Sequence, residues 1–575
     1  MILNHALVVL ASAALLAACA DGSAPLVGTG GSGTGGEAPT GAGGSECLSA
    51  CSSDGAHVLD CHGSVTMTCS AGEVCAEGAC SGDPCDLADV LPGSAGCSFW
   101  VPVPEPDVQA PFPCLAVLLA NDSNSSASVS VEYEGATLSS TDVYVRLVGG
   151  DVPGDLVYSP YDPSIGIPKG RIAVVSLARE TAPSPGKCPS TPALQAYPYI
   201  QGTGRGSAFL VRTTAPVSAT AIFPFHGGEL PFVSGTSLHS EARMARDNIV
   251  LSPMHAVPGL STGFVLVGTK DGSTVVIQPN NAILGGDGVQ PTQAGQSLTL
   301  VLDRGETIQI LQEIELTGSR VRGDAALGLF SVGYVQPSAT PTADHDLHAI
   351  PHPALWGHRY AAAPPPSRAP HVEEVIPWRI VGAVDNTGLR WEGRGPKDAP
   401  SILHRGQVLS FESDAPFIVE SQDEAHPFHL SGTLGGSLLL GRVGDPEWFF
   451  VAPTTQYQTS FFFTTDPTFP ENVFVITRER GSDGAFADVV LDCLGAVSGW
   501  SRLGDYEIAQ VDISRGSFVW SGPCRYGPYR LSSEGRFSVT AWGWGNPQTG
   551  TESNGYALTP GLALPGSNAV LPVPE

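Results

Sequence analysis

Hydrophobic and polar positions alternate in short runs along most of this chain. From about residue 95 onward, runs rich in Val, Thr, Phe and Ile are cut by Gly, Pro, Asn and Asp. That is the pattern of short strands joined by turns. Strands are predicted at Leu115 to Ala120, Val129 to Tyr133, Phe264 to Gly268, Thr274 to Gln278 and Ser297 to Leu302. Asp271-Gly272 between two of them predicts a hairpin turn. No amphipathic helix of ten or more residues is expected.

Two blocks recur along the chain. A strand hairpin is expected at Leu115 to Val131, Phe264 to Ile277, Trp378 to Trp391 and Phe461 to Ile476. A strand, a small turn and a returning strand are expected at Leu210 to Ala219, Val321 to Leu329, Phe411 to Val419 and Leu531 to Val539. Aligning the second block on Pro216, Ala326, Pro416 and Arg536 spaces the copies by 110, 90 and 120 residues. Gly295-Gln296 in one copy and Gly406-Gln407 in the next match between the blocks. The fold class expected is therefore all-β: four tandem antiparallel β-sandwich-like repeats within residues 81–575. Blades of an irregular β-propeller are the alternative. A unit near a hundred residues is long for a four-stranded blade, which favours the sandwich.

The first residues read differently. Ala6 to Ala18 is an unbroken run of apolar or small residues, the length of a signal-peptide core and too short to span a bilayer. It ends in Leu16-Ala17-Ala18-Cys19, which resembles the lipobox of bacterial lipoproteins, although Met1 to His5 holds no Lys or Arg. The expectation is a signal peptide over 1–18 and lipidation of Cys19, with an ordinary secretory signal as the alternative. Asp21 to Glu46 has ten Gly among 26 residues and reads as a flexible tether within a 19–46 linker. Its r.m.s. span is roughly 25–30 Å.

Composition sharpens this picture. With 56 acidic against 28 basic residues, a net charge of −28 argues against nucleic acid and against broad adhesion to anionic lipid. Only 15% of residues are charged and 42% are hydrophobic, so the chain can bury a core. Of the 13 Cys, six fall close together at Cys47, Cys51, Cys61, Cys69, Cys75 and Cys80. In an exported chain they predict a small disulfide-rich segment over 47–80. Zinc is the alternative, weakened because no Cys-x2-Cys occurs. Cys493 is expected to pair with Cys524, Cys85 with Cys97, and Cys114 with Cys188.

Candidate chemistry is sparse. The chain holds no Gly-x-Ser-x-Gly, no His-Glu-x-x-His and no phosphate-binding Gly-x4-Gly-Lys-[Ser/Thr] motif. Asp344, His345, Asp346 and His348, with His352 and His358 beyond, are candidate metal ligands; a polar loop is the plainer reading. Asn121-Asp122-Ser123-Asn124 is a candidate calcium loop, as hard cations favour such oxygens. Otherwise no cofactor is expected. Trp542 and Trp544, an i, i+2 pair, are candidates for stacking on a glycan; filling a core is the competing role.

Gly96-Cys97-Ser98-Phe99-Trp100, Leu316 to Val321 and Asp344 to Tyr360 together resemble the N-terminal domain family of IgGFc-binding proteins. The linker and six-Cys segment are similar to those of bacterial, myxobacterial-type lipoprotein members. The resemblance covers residues 95 to 560. The family pattern would place Cys at Ala343 and Pro at His352, so it implies a disulfide missing from that loop. It implies an extracellular recognition module rather than an enzyme, and it carries over no defined binding residues. The expected function is a lipid-anchored surface or adhesion protein of the bacterial cell envelope, at the outer membrane or cell surface. Its partner is an extracellular protein or glycan, and its membrane contact is the N-terminal lipid. A structural envelope or matrix component and a secreted hydrolase on a propeller-like scaffold are the alternatives.

Overall fold

A computed structural model describes residues 50–52, 56–60, 64–70, 73–76, 78–90, 93–107, 113–139, 144–148, 157–179, 188–226, 232–254, 258–337, 342–369, 372–392, 399–562 and 568. The segment 1–18, Cys19, the 19–46 linker, Cys47 and Cys61 lie outside the described residues. Among the described residues no helix is long and apolar enough to cross a membrane.

The cysteine-rich segment is built from very short strands. Ala50–Cys51, His57–Leu59 and Val65–Thr68 form one antiparallel sheet, and Val74–Ala76 pairs with Ala79–Ser81. It has little apolar interior, and Val65 and Met67 are exposed. Cross-links do the work of a core here: Cys69 bonds Cys80, and Cys75 is also in a disulfide. A short helix, Pro84–Val90, follows. Cys85–Cys97 ties it to the strand Gly96–Val101, and Arg243 donates to the carbonyls of Ala88 and Asp89 at 2.8 and 2.6 Å. Cys114 bonds Cys188 and Cys493 bonds Cys524, the pairings expected from the sequence.

The remaining chain is nearly all β, and one pairing pattern occurs four times. Each unit has a central strand: Leu115–Asn121, Thr262–Gly268, Ile376–Gly382 and Glu471–Glu479. A return strand pairs along one edge of it: Arg171–Ala178, Glu306–Gln312, Val408–Ser413 and Tyr506–Arg515. A long strand pairs along the other: Phe209–Phe223, Arg320–Val335, Tyr529–Trp544 and, split in the third unit, Phe417–Ser421 with Phe428–Thr433. The first half of each long strand leaves the central strand. It pairs instead with a side strand: Val129–Tyr133, Ser273–Gln278, Thr387–Glu392 and Val489–Leu491. The sheet therefore curls into a half-barrel in every unit.

The curl has a local cause. The bend follows Thr213, Gly323, Ser421 and Ser533. The hydroxyls of Thr213 and Ser421 donate to the carbonyl two residues on, at 2.8 and 3.3 Å, and Ser533 Oγ accepts from the Gly535 N–H at 3.1 Å. Such local bonds draw the backbone out of the ladder. In the second unit a Cβ on Gly323 would sit 2.5 Å from the Ala325 carbonyl oxygen, so only glycine fits.

Several sequence expectations change here, and none of the four hairpins forms: Leu115–Asn121 and Val129–Tyr133 both pair with Phe209–Phe223, while Ile376–Gly382 pairs with Val408–Ser413 and Phe428–Thr433 and Thr387–Glu392 with Phe417–Ser421. The strands flanking Asp271-Gly272 do not pair with each other; each pairs with a different half of Arg320–Val335. Thr262–Gly268 is buried along its whole length, so it needs a strand on both edges, and a two-stranded hairpin would leave one bare. Phe461 to Ile476 spans the strands Gln458–Phe463 and Glu471–Glu479, which both pair with Tyr529–Trp544. The Pro416 turn joins a return strand to a long strand, whereas the bend matching Pro216 falls at 422–427.

The units pack in a closed series. Along Leu115–Asn121, Leu115, Val117 and Leu119 enter the first unit's own core, while Ala116 and Leu118 enter the fourth unit's. Phe264 and Leu266 fill the second core, while Val265 and Val267 fill the first. Trp378 and Ile380 fill the third core, and Val381 the second. Phe474 and Ile476 fill the fourth, while Val473 and Val475 fill the third. Each core is thus lidded by the next unit's central strand, and the last by the first. Adjacent units share cores as sandwich sheets do, while the series closes as a propeller does.

Leu118 tests this closure, since its side chain is 1% exposed and belongs to the fourth core. Leu118→Ala is expected to cost about 2–5 kcal/mol, the range for a buried leucine deletion. Chemical denaturation followed by tryptophan fluorescence measures it. A cost below ~1 kcal/mol would mean the closing face contributes little.

Candidate functional site

The four units end on short inner strands: Ser234–Ser237, Asp344–Ala349, Trp448–Phe450 and Gly555–Leu558. These strands meet one another. Leu347 N–H donates to Ser234 Oγ at 3.0 Å and Ala349 N–H to Thr236 Oγ1 at 2.9 Å. The His348 ring lies 5.3 Å from that of Trp448 and 5.4 Å from Phe450. Thr559 Oγ1 donates to the Phe450 carbonyl at 3.0 Å, and Leu558 and Tyr556 pack over Gly235. Side chains on these strands therefore face into a shared centre.

That centre is polar and buried. Asp344, Asp346, Asp445 and Glu447 are each at most 5% exposed. Asp344 Oδ1 accepts from the N–H of His345 at 2.7 Å, and Asp346 Oδ1 bonds His348 Nδ1 at 2.7 Å. Among the described residues, Asp344 Oδ2, Asp346 Oδ2, Asp445 Oδ1 and His348 Nε2 have no hydrogen-bond partner. Burial pushes the Asp344, Asp445 and Glu447 carboxyls well above the usual range. Neighbouring acids add to this: Asp445 and Glu447 act on Asp344, and Asp346 and Asp445 on Glu447. Arg368 opposes it at Asp445, whose carbonyl accepts from its Nη1 at 3.0 Å. Burial thus favours the neutral form of Asp344, Asp445 and Glu447. Histidines around them are held neutral in the same way. Burial lowers His239 and His345 to about 4, and His352 and His429 to about 3.

The four candidate metal ligands are divided by this arrangement. Alternation along Asp344–Ala349 sends Asp344, Asp346 and His348 to one face and His345 to the other. The His345 ring lies edge-on 4.9 Å from Tyr334 and 5.8 Å from Phe232. Among the described residues no three His, Cys, Asp or Glu side chains form a set that could hold a metal ion. His352 and His358 lie beyond the strand on the turn around Pro353–Leu355. The calcium candidate is corrected too, because its oxygens are already used. Asp122 pairs with Arg530, Asn124 Oδ1 accepts from Lys169 Nζ at 2.7 Å, and Asn121 Oδ1 accepts from Ser123. Trp542 and Trp544 do share a face, but each is 1% exposed and belongs to the third core. The ring of Trp542 packs 4.8 Å from Phe449, so neither indole is free to stack on a sugar.

The sequence reading passed over Asp445 and Glu447. Their signal was two acids, split by Pro446, directly before the apolar run Trp448-Phe449-Phe450. It also passed over the cleft beside the centre, where the first and fourth units close. That cleft holds about 250 Å³ of space for water and is lined by Thr220, Ser237, His239, Gln458, Ser460 and Leu562 among others. Its mix of apolar walls and a few converging polar groups suits a binding site.

The family described as IgGFc binding protein matches residues 234–543, more than half of the chain and narrower than the 95–560 expected. The match runs from the first inner strand to the end of the last long strand. No curated protein matches the chain.

The neutral acids and neutral histidines act on stability with opposite signs. A carboxyl whose folded pKa is raised binds its proton more tightly in the folded state. Its contribution is present below the unfolded pKa and lost as pH rises. A histidine lowered to about 3 or 4 costs nothing above about 6.5 and destabilises as pH falls through that window. Glu447→Gln is therefore expected to melt higher than wild type at pH 8, with the difference closing towards pH 4. A loss of histidine, His429→Gln, is expected to flatten the decline below pH 6.5. Thermal unfolding across pH 4–8 tests both signs.

Proposed function

The chain belongs to the IgGFc binding protein family, and on that premise we propose that it is a non-enzymatic, lipid-anchored surface protein of the bacterial envelope that binds an extracellular partner. The family match carries this reading. Its description names a protein ligand, so binding of an extracellular protein is the activity it supports, with a surface glycan as the second class of partner. Leu16-Ala17-Ala18-Cys19 supports export and lipidation, which would make Cys19 the membrane attachment and 19–46 the tether.

The scaffold suits such a role. Half-barrels that share cores give little freedom to the elements bordering the seam cleft, so a partner loses less entropy on binding there. The cleft presents Ser237, His239, Gln458 and Ser460 beside the apolar Leu238 and Leu562. Hydroxyls, an amide and an imidazole can meet a peptide backbone, while the leucines cover an apolar side chain.

Two measurements test the reading. Cys19→Ala is expected to move the protein from the membrane fraction to the soluble fraction; retention in the membrane would sink the lipid anchor. Ser460→Trp places an indole at the exposed rim of the cleft. Capture of extracellular proteins by the purified chain should fall at least tenfold with no change in melting temperature. Unchanged capture would remove the seam cleft as the site.

A further inference from the structure

The repeat itself marks a second site. In the second unit the turn into the return strand reads Leu302-Asp303-Arg304-Gly305-Glu306, and in the third Leu403-His404-Arg405-Gly406-Gln407. These two turns are built alike. Arg304 N–H donates to Asp271 Oδ1 and Arg405 N–H to Asp385 Oδ1, both at 3.0 Å. Gly305 N–H donates to the Gly268 carbonyl at 2.8 Å, and Gly406 N–H to that of Gly382 at 2.9 Å. Glu306 and Gln407 each accept from the residue three before, at 3.1 and 2.9 Å. Gly406 therefore matches Gly305, and the resemblance of Gly295-Gln296 to Gly406-Gln407 does not mark equivalent turns.

The two arginines differ in what they meet. Arg304 reaches back to the preceding unit. Its Nη1 and Nη2 donate to the Glu241 carboxylate at 3.1 and 3.4 Å, and its guanidinium lies 5.0 Å from the Trp100 ring centroid. Arg405 faces the preceding unit in the same way but finds no such acid. Among the described residues its only carboxylate is Asp385, at 3.8 Å and outside hydrogen-bond reach, and its Nε is buried without a partner. Glu315, an acid of the second unit, is taken by Arg379.

In place of a protein carboxylate there is a groove. It holds about 520 Å³ of space for water and is lined by Gln278, Asn280, Gly295, Gly318, Arg320 and Arg405 among others. The floor is rigid: a Cβ on Gly318 would lie 1.9 Å from the Gly406 carbonyl oxygen. Arg405 and Arg320 line the groove with Asp385, and Arg320 also donates to Gln278. Its lining is amide, guanidinium and glycine backbone, with only Pro279 and Ala294 apolar.

We propose that the groove between the second and third units binds a carboxylate-bearing saccharide, whose carboxylate meets Arg405 as Glu241 meets Arg304. The fork geometry of guanidinium suits a carboxylate; the Asn280 amide already bonds the Thr317 carbonyl and the Ser319 hydroxyl, and its second amide hydrogen and second lone pair can meet a sugar hydroxyl. The groove is separate from the seam cleft, so either site can fail without the other.

Titration calorimetry of the purified chain with oligogalacturonate tests this, with a neutral malto-oligosaccharide and a glutamate-rich peptide as comparisons. Oligogalacturonate should bind saturably and weaken with added salt. Arg405→Ala should lower its affinity at least tenfold at an unchanged melting temperature, and Arg405→Lys should restore only part of it, because the point charge lacks the fork. If Arg405→Ala fails to fold, Arg405→Lys carries the comparison, with at least a threefold loss expected. The proposal is overturned by absence of oligogalacturonate binding, by equal binding of the neutral sugar or tighter binding of the peptide, or by full affinity in the variants. Seam-cleft variants should leave this binding unchanged.

Discussion

A strand that is apolar on both faces must be covered twice, and the central strands of the first two units are such strands. Leu115–Asn121 and Thr262–Gly268 are buried at every position. Odd and even residues serve different cores, so no unit can bury its own central strand alone. Each covered Val, Leu or Ile contributes about 1.5–3 kcal/mol, an amount forfeited on one face if the neighbouring unit is absent. This shared demand joins four half-barrels into one body and fixes where their inner strands converge.

Convergence has an electrostatic cost. Bringing four ends together at one centre places Asp344, Asp346, Asp445 and Glu447 out of water with few partners. For Asp344, Asp445 and Glu447 this burial favours the protonated form. The nearby histidines face the same constraint from the other side and stay unprotonated. Burial thus draws three of these acids towards their neutral form in a chain that is strongly acidic as a whole. Charge is worn instead on the outside, where ion pairs such as Arg530–Asp122 and Arg359–Glu420 cross between strands.

Much of this architecture was visible in the chain, and what was hidden has identifiable causes. Apolar runs located the central and side strands at 115–121, 129–133, 262–268 and 273–278 to within two residues. Their pairing was hidden, because the partner of both is a long strand some fifty or more residues later, and local turn chemistry at Asp271-Gly272 says nothing about it. The period of Trp542 and Trp544 placed them on one face, but alternation cannot tell solvent from a neighbouring unit when both faces are covered. Cysteine spacing fared better, since each of Cys85–Cys97, Cys114–Cys188 and Cys493–Cys524 joins residues of one unit or its immediate approach. Asp445 and Glu447 were masked by the aromatic run beside them. The equivalence of Arg304 and Arg405 emerged only from hydrogen bonds, because Glu306 and Gln407 differ in charge while making the same contact.

The seam between the first and fourth units joins residues very distant in the chain; Asp122 and Arg530 are 408 positions apart. Until the last strands are made, Ala116 and Leu118 lack the fourth-unit side chains, such as Phe474, Ile476 and Val539, that complete their core. A chain emerging from its amino end would carry an uncovered apolar stripe through most of its passage, with closure the final and slowest event. The architecture that makes the finished protein rigid also leaves its unfinished form sticky, with the apolar face of Leu115–Asn121 the part left open longest.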